Sequence, residues 1–209
     1  MKKDNPYDPK YLGAEYYWGK TPSGDCSRVL EIMRPSAEFV PKLLDLGCGE
    51  GRNAVYFAKH GFQVVGLDAS LPGLEKTKRY GEEVGVHIET IHADINTWEP
   101  EGSFDVIFSG GTLQYLRPEV RDERFRMYKQ ATSPDGINAL SVFVKKPFIP
   151  RAPDGEPTAF SYKSGELMGY YWDWEILFCT EEIFDCMSSG VPHRHAVNRM
   201  VARSSPGVI

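Results

Sequence analysis

No apolar run in this 209-residue chain approaches the length that spans a bilayer, and Met1-Lys2-Lys3-Asp4-Asn5 has none of the apolar core of a signal peptide. Cytoplasmic residence is therefore the expectation. A basic excess is missing too, since 24 Lys and Arg stand against 29 Asp and Glu, a net charge of −5. General nucleic-acid binders need a positive face, so no nucleic acid and no membrane are expected as partners. The cysteines, Cys26, Cys48, Cys179 and Cys186, include no C-x-x-C pair and read as free thiols in or near a core. No His/Cys/Asp cluster has ligand spacing. His193-x-His195 would put both rings on one strand face, where they could bind a metal, but a pocket wall or surface strand is the favoured reading and no metal is expected. What remains is ordinary: 41% hydrophobic, 25% charged, and a length that suits one α/β domain.

The stretch Lys42 to Ser70 organises the rest. An apolar run, Leu43, Leu44 and Leu46, stops at Gly47-Cys48-Gly49-Glu50-Gly51. A helical segment follows to His60, then a second apolar run, Val64, Val65 and Leu67, that ends on Asp68. This is a βαβ unit with its ligand edge at the strand C-termini. The glycines allow a sharp turn and close backbone approach, and the helix starting near Arg52 points free N–H groups at the ligand. Asp68 ends the neighbouring strand, where a carboxylate can accept from two ribose hydroxyls. The dinucleotide fingerprint G-x-G-x-x-G would need glycine where Arg52 stands. A pyrophosphate also disfavours Asp45 and Glu50 nearby. These acids suit an adenosine ligand that carries positive charge.

Leu44-Asp-Leu-Gly-Cys-Gly-Glu-Gly-Arg-Asn53 resembles the first motif of class I S-adenosylmethionine-dependent methyltransferases. The resemblance implies an α/β, doubly wound Rossmann-like fold, a seven-stranded mixed sheet with an antiparallel last strand. It implies S-adenosylmethionine as cofactor and S-adenosylhomocysteine as product. The residues it assigns to the cofactor are Asp45, Gly47, Cys48, Gly49, Gly51, Asn53, Asp68, Ala69, Asp94, Ile95, Ser109 and Gly110. Asp94 would meet the adenine amino group and the next backbone N–H the ring; a solvated turn aspartate is the alternative.

Around this unit, one domain over 1–209 is expected. Residues 1–40 form an N-terminal arm and helix. The aromatic first 20 residues (Tyr7, Tyr11, Tyr16, Tyr17, Trp18) either close over the cofactor as a lid or cover apolar surface. Asp25 to Met33 is a helix closed by Pro35. Leu71 to Val84 is a second, with Pro72 in its first turn, Leu74, Thr77, Lys78 and Gly81 on one side, and Gly85 as cap. Strands are expected at His87–Ala93, Phe104–Ser109 and Ile137–Val144, with Asp105 resembling the family's structural strand-four acid. Pro118 to Thr132 reads as a helix with Val120, Phe125 and Tyr128 inward and its charges solvated. Pro134-Asp135-Gly136 is a turn. Residues 145–175 form a substrate-side insertion: a proline-rich loop (Pro147, Pro150, Pro153, Gly155, Pro157), then a short helix over 164–175 capped by Ser164. Ile176–Cys179 and Val191–Arg203 are the last strands.

Ser164-Gly-Glu-Leu-x-x-Tyr-Tyr-x-x-Trp-Glu175 and the ending Met200-Val-Ala-Arg203 resemble the tellurite-resistance methyltransferases. A small acceptor follows as expectation: an oxyanion such as tellurite or selenite, or a thiol-like molecule. Tyr115 is a candidate wall of the acceptor pocket or a core aromatic. His193, Arg194 and Arg199 are candidates for holding an oxyanion by charge-assisted hydrogen bonds, or ordinary strand residues. No Asn-Pro-Pro-Tyr base-flipping motif follows strand four; Ser109-Gly-Gly-Thr112 stands there. A monomer or homodimer is expected. The competing reading is a non-catalytic S-adenosylmethionine-binding sensor or scaffold.

Overall fold

The computed structural model describes residues 5–151, 159–187 and 190–205. Among these, one seven-stranded sheet runs in the order β3-β2-β1-β4-β5-β7-β6. The strands are β1 (Lys42–Leu46), β2 (Gln63–Asp68), β3 (Ile88–His92), β4 (Phe104–Gly110), β5 (Thr132–Val144), β6 (Glu175–Cys186) and β7 (His193–Arg203). The first five pair in parallel, and β7 lies antiparallel between β5 and β6. This is the expected doubly wound architecture with an antiparallel last strand in sequence.

The helices are α1 (Asp8–Tyr11), α2 (Asp25–Met33), α3 (Arg52–Lys59), α4 (Leu71–Glu83), α5 (Arg121–Gln130) and the single turn α6 (Glu166–Gly169). Two apolar layers result, one per sheet face. One packs Cys26, Val29, Val55, Phe57 and Leu74 from α2, α3 and α4 onto the sheet, and the other packs Phe125, Tyr128, Leu167 and Tyr171 from the α5 and α6 side. Leu43, Leu44, Leu46, Val106 and Ile107 are buried because both layers cover the central parallel strands.

Several boundaries differ from the sequence reading. The helix over 164–175 shrinks to α6. Its N-cap is Gly165 at φ 77°, not Ser164, whose hydroxyl instead joins Lys146 and Glu181. β6 runs on to Cys186, far past Cys179, because its acidic residues sit on an exposed edge strand where polar side chains cost nothing. The turn at 134–136 is present, but as residues looped out within β5, where pairing jumps from Phe104–Thr132 to Val106–Ile137. On α4 the buried lysine is Lys76, whereas Lys78 is exposed. On α5 the charges are not all solvated. Arg121 is buried against Glu166 and the Phe160 carbonyl, and Arg124 donates to the Trp98 carbonyl. Cys26 and Cys48 are core thiols, but Cys179 is exposed and Cys186 partly so. Part of the expected proline-rich loop (Pro153, Gly155, Pro157) lies outside the described residues.

Candidate functional site

β1 ends at a bend of three left-handed glycines: Gly47 (φ 77°), Gly49 (φ 56°) and Gly51 (φ 88°). Only glycine adopts this run without strain, and a Cβ on Gly47 would stand 1.9 Å from the Thr112 hydroxyl oxygen. The bend is tied down by the Gly47 and Cys48 N–H groups, which donate to the Leu67 carbonyl at 2.7 and 3.0 Å. Gly51 then N-caps α3. The bend lies where the strand order reverses between β1 and β4, the usual ligand crevice of such sheets.

Two carboxylates flank it in opposite circumstances. Asp68, ending β2, accepts from the Gly49 N–H at 2.8 Å and the Ser70 N–H at 2.8 Å. Burial raises its pKa, and the Ser70, Gly49 and Ala69 N–H groups oppose that rise. Asp45, on β1, is fully buried, and neither of its oxygens has a hydrogen-bond partner among the described residues. Burial pushes Asp45 up to about 7, the Asp68 charge adds to the rise, and Arg52 opposes it. An orphaned buried carboxylate costs free energy unless a donor arrives.

Glu50 was expected to add negative charge facing the ligand. Instead it is neutralised within the protein: its Oε1 lies 2.7 Å from the Lys76 ammonium, both side chains being almost wholly buried. Lys76 also donates to the Glu15 carbonyl at 2.6 Å, and Glu50 accepts from the Trp18 N–H at 3.3 Å. Sequence reasoning missed Lys76 because a lone lysine on a helix looks solvated, and its partner lies 26 residues away.

The N-terminal arm crosses this edge. The Tyr11 hydroxyl would stand 3.1 Å from a Cβ on Gly49, and the ring lies against Gly73. Trp18 donates its indole N–H to the Tyr11 hydroxyl at 3.1 Å. Tyr7 stacks on Tyr11, and its hydroxyl lies 2.8 Å from that of Tyr115, beyond the end of β4. Asp8 accepts from the Ser70 hydroxyl at 2.6 Å.

The remaining candidates fall into three groups. Asp94, Ile95 and Ala69 stand at the β2–β3 end of the same edge. Asp94 is exposed and accepts from the Asn96 N–H and amide, and Ile95 is buried. The Ala69 carbonyl meets the His92 ring. Cys48, Asn53 and Ser109 are near the bend, but their side chains are used internally. The Cys48 thiol packs beneath Gly66, the Asn53 carbonyl accepts from the Ser23 N–H, and the Ser109 hydroxyl donates to the Leu46 carbonyl. Gly110 leaves room for the Asn53 amide, which a Cβ there would meet at 3.0 Å. His193, Arg194 and Arg199 lie on β7, with Arg199 in register with Ser141, the partner of Gly110. Arg199 bridges Asp25 at 2.8 Å and Glu182 at 2.7 Å, tying β7 to α2 and β6, and Arg194 is exposed opposite Asp185. Cys186, which the sequence reading did not use, stands in register with His193 across the β6–β7 hairpin.

The sheet order, the glycine bend and the acid closing β2 define a Rossmann-like domain of the methyltransferase fold. The chain belongs to the family described as tellurite resistance protein TehB, whose model matches residues 7–191. It is 29% identical over 185 residues to a probable S-adenosyl-L-methionine-dependent methyltransferase TehB of Haemophilus influenzae, covering 87% of this chain and 59% of that protein. It thus spans about three fifths of that relative's length. The crystal structure of TehB from Haemophilus influenzae is similar at a TM-score of 0.77 and 26% identity, over 95% of this chain and 66% of that one. A 2-heptyl-1-hydroxyquinolin-4(1H)-one methyltransferase of Mycobacteroides abscessus is 30% identical over 167 residues, covering 78% of this chain and 71% of that protein.

Proposed function

We propose that this domain is an S-adenosylmethionine-dependent methyltransferase acting on a small acceptor. The observation that carries the reading is Asp45: a fully buried carboxylate with two orphaned oxygens beside a glycine bend. Such a group is suited to a cationic donor, and the cofactor's α-ammonium is one. When bound, S-adenosylmethionine supplies a methyl group already activated on a sulfonium. Asp45 would hold the ammonium end, Asp68 the ribose hydroxyls, and Asp94 with the Ile95 N–H the adenine edge. Asp68 is already oriented by two backbone N–H groups, so little reorganisation is needed.

The protein's remaining task is to position an acceptor lone pair in line and to exclude water. Tyr115, at the β4 end and in contact with Tyr7, is placed to wall the acceptor side. The acceptor class we favour is a tellurite- or selenite-type oxyanion or a thiol. The quinolone named for the Mycobacteroides relative puts aromatic heterocycles on the same test panel. Calorimetry with S-adenosylmethionine and S-adenosylhomocysteine tests the cofactor. Binding is expected, weakened at least tenfold in Asp45→Asn, and no heat with no thermal shift at saturating ligand would remove the reading. Binding without methyl transfer to any acceptor of the panel would favour the sensor reading.

A further inference from the structure

The β6–β7 hairpin carries a second cluster of ligating groups. Cys186 and His193 are directly paired in the antiparallel register, so their side chains share a face. His195, two residues on, returns to that face. The Cys186 sulfur and one ring nitrogen from each histidine all lie within 4.8 Å of one another. The two Nε2 atoms are 2.9 Å apart. The Nδ1 of His193 lies 2.7 Å from the Val191 carbonyl, which can only accept. That contact fixes His193 as the Nδ1–H tautomer and leaves its Nε2 lone pair directed at His195. A ring held by its far N–H on a backbone carbonyl is the arrangement that orients histidine ligands on a metal. The His195 ring is packed 4.8 Å from Phe143 and 5.6 Å from Phe184, which limits its rotation.

We propose that Cys186, His193 and His195 bind one divalent cation of the zinc type, with an open fourth position filled by water. One thiolate and two imidazoles suit a borderline-soft metal and not magnesium or calcium. Ordinary zinc–ligand bond lengths put tetrahedral ligand atoms about 3.3–3.6 Å apart. The histidine nitrogens must therefore open by about half an ångström and the sulfur must close in, shifts within side-chain reach. On binding, the Cys186 thiol gives its proton to solvent. Before metal binds, the 2.9 Å contact has the His195 Nε2–H donating to the His193 Nε2; on binding that proton passes to Nδ1 by exchange with solvent, so both Nε2 lone pairs face the metal. The site lies toward the ligand edge of the sheet. Gly110 aligns with Ser141 and Ser141 with Arg199, so His195 stands four residues, about 13 Å, beyond the β4 terminus.

Cobalt(II) titration of the reduced, metal-stripped full chain tests this by absorption. The expected result is one equivalent bound, with thiolate-to-cobalt charge-transfer absorption, and displacement by zinc(II). Cys186→Ser should abolish that absorption. His195→Asn should lower apparent affinity well beyond the roughly 10–100-fold that loss of a supporting contact costs. Cys179→Ser should leave both unchanged, and circular dichroism melts confirm that each variant folds. If the native chain gives no charge-transfer absorption, or the absorption survives Cys186→Ser, the site is refuted. Should Cys186→Ser fail to fold, His193→Gln decides instead: cobalt affinity lowered well beyond about 100-fold supports the site, and unchanged affinity refutes it.

Discussion

Asp45 makes ionisation, folding and binding pull in different directions. Its pKa rises from an ordinary 3.8 to about 7 in the folded chain, chiefly through burial. Between those values the folded chain keeps a proton that the unfolded chain has released. Its stabilising share is therefore full below about pH 4 and is lost as pH rises through about 7. Without ligand, stability should fall across that window in denaturant titrations, and Asp45→Asn should flatten the fall. A cationic ligand needs the ionised form, so the binding trend is opposite. From pH 6 to pH 8 the ionised fraction grows about tenfold, and calorimetric affinity for S-adenosylmethionine should rise by about the same factor. Equal affinity at both pH values would mean that Asp45 does not receive the ligand's charge.

Elements were legible in sequence where a local rule decided them. β1 and β2 end where glycines or an acid interrupt apolar runs. α4 shows Ser70 accepting from the Gly73 N–H and a proline in its first turn, with Gly85 at φ 77° beyond its end. β6 and α6 were misjudged because an exposed edge strand and a single turn have no strong apolar period. Features made by pairing across the fold were harder still. The glycine bend and Asp68 lie close in sequence, but Glu50 with Lys76, and Cys186 with the histidines, meet only through tertiary structure or strand register. The Glu50–Lys76 pair joins the bend to α4 and, through Glu15 and Trp18, to the arm. Removing one partner strands a buried charge. Lys76→Met or Glu50→Leu alone should cost about 3–5 kcal/mol in urea unfolding, and the two together should cost clearly less than either. Additive losses would show that the pair is not coupled.

At the scale of the whole molecule, the crevice between β1 and β4 has a floor from one part of the chain and is crossed by another. The floor is the edge between β1 and β4, rigid because both apolar layers grip the central strands. The crossing segment is the N-terminal arm, which contacts the β1–α3 bend through Tyr11, α4 through Asp8 and Ser70, and the segment after β4 through Tyr7 and Tyr115. It thus bridges both banks of the crevice. A segment that merely hid apolar surface could lie on either bank alone. Its contacts are mostly polar or aromatic, the kind that an element able to open and close uses. Deleting residues 1–20 should therefore leave the sheet folded by circular dichroism while releasing S-adenosylmethionine about tenfold faster in stopped-flow displacement, with association no slower. If the truncated chain melts earlier yet releases ligand at the native rate, the arm is a surface cover and Tyr11 contributes to stability alone. The position of Tyr11 over Gly49 argues for the first outcome, because its hydroxyl stands beside the glycine whose N–H orients the Asp68 carboxylate.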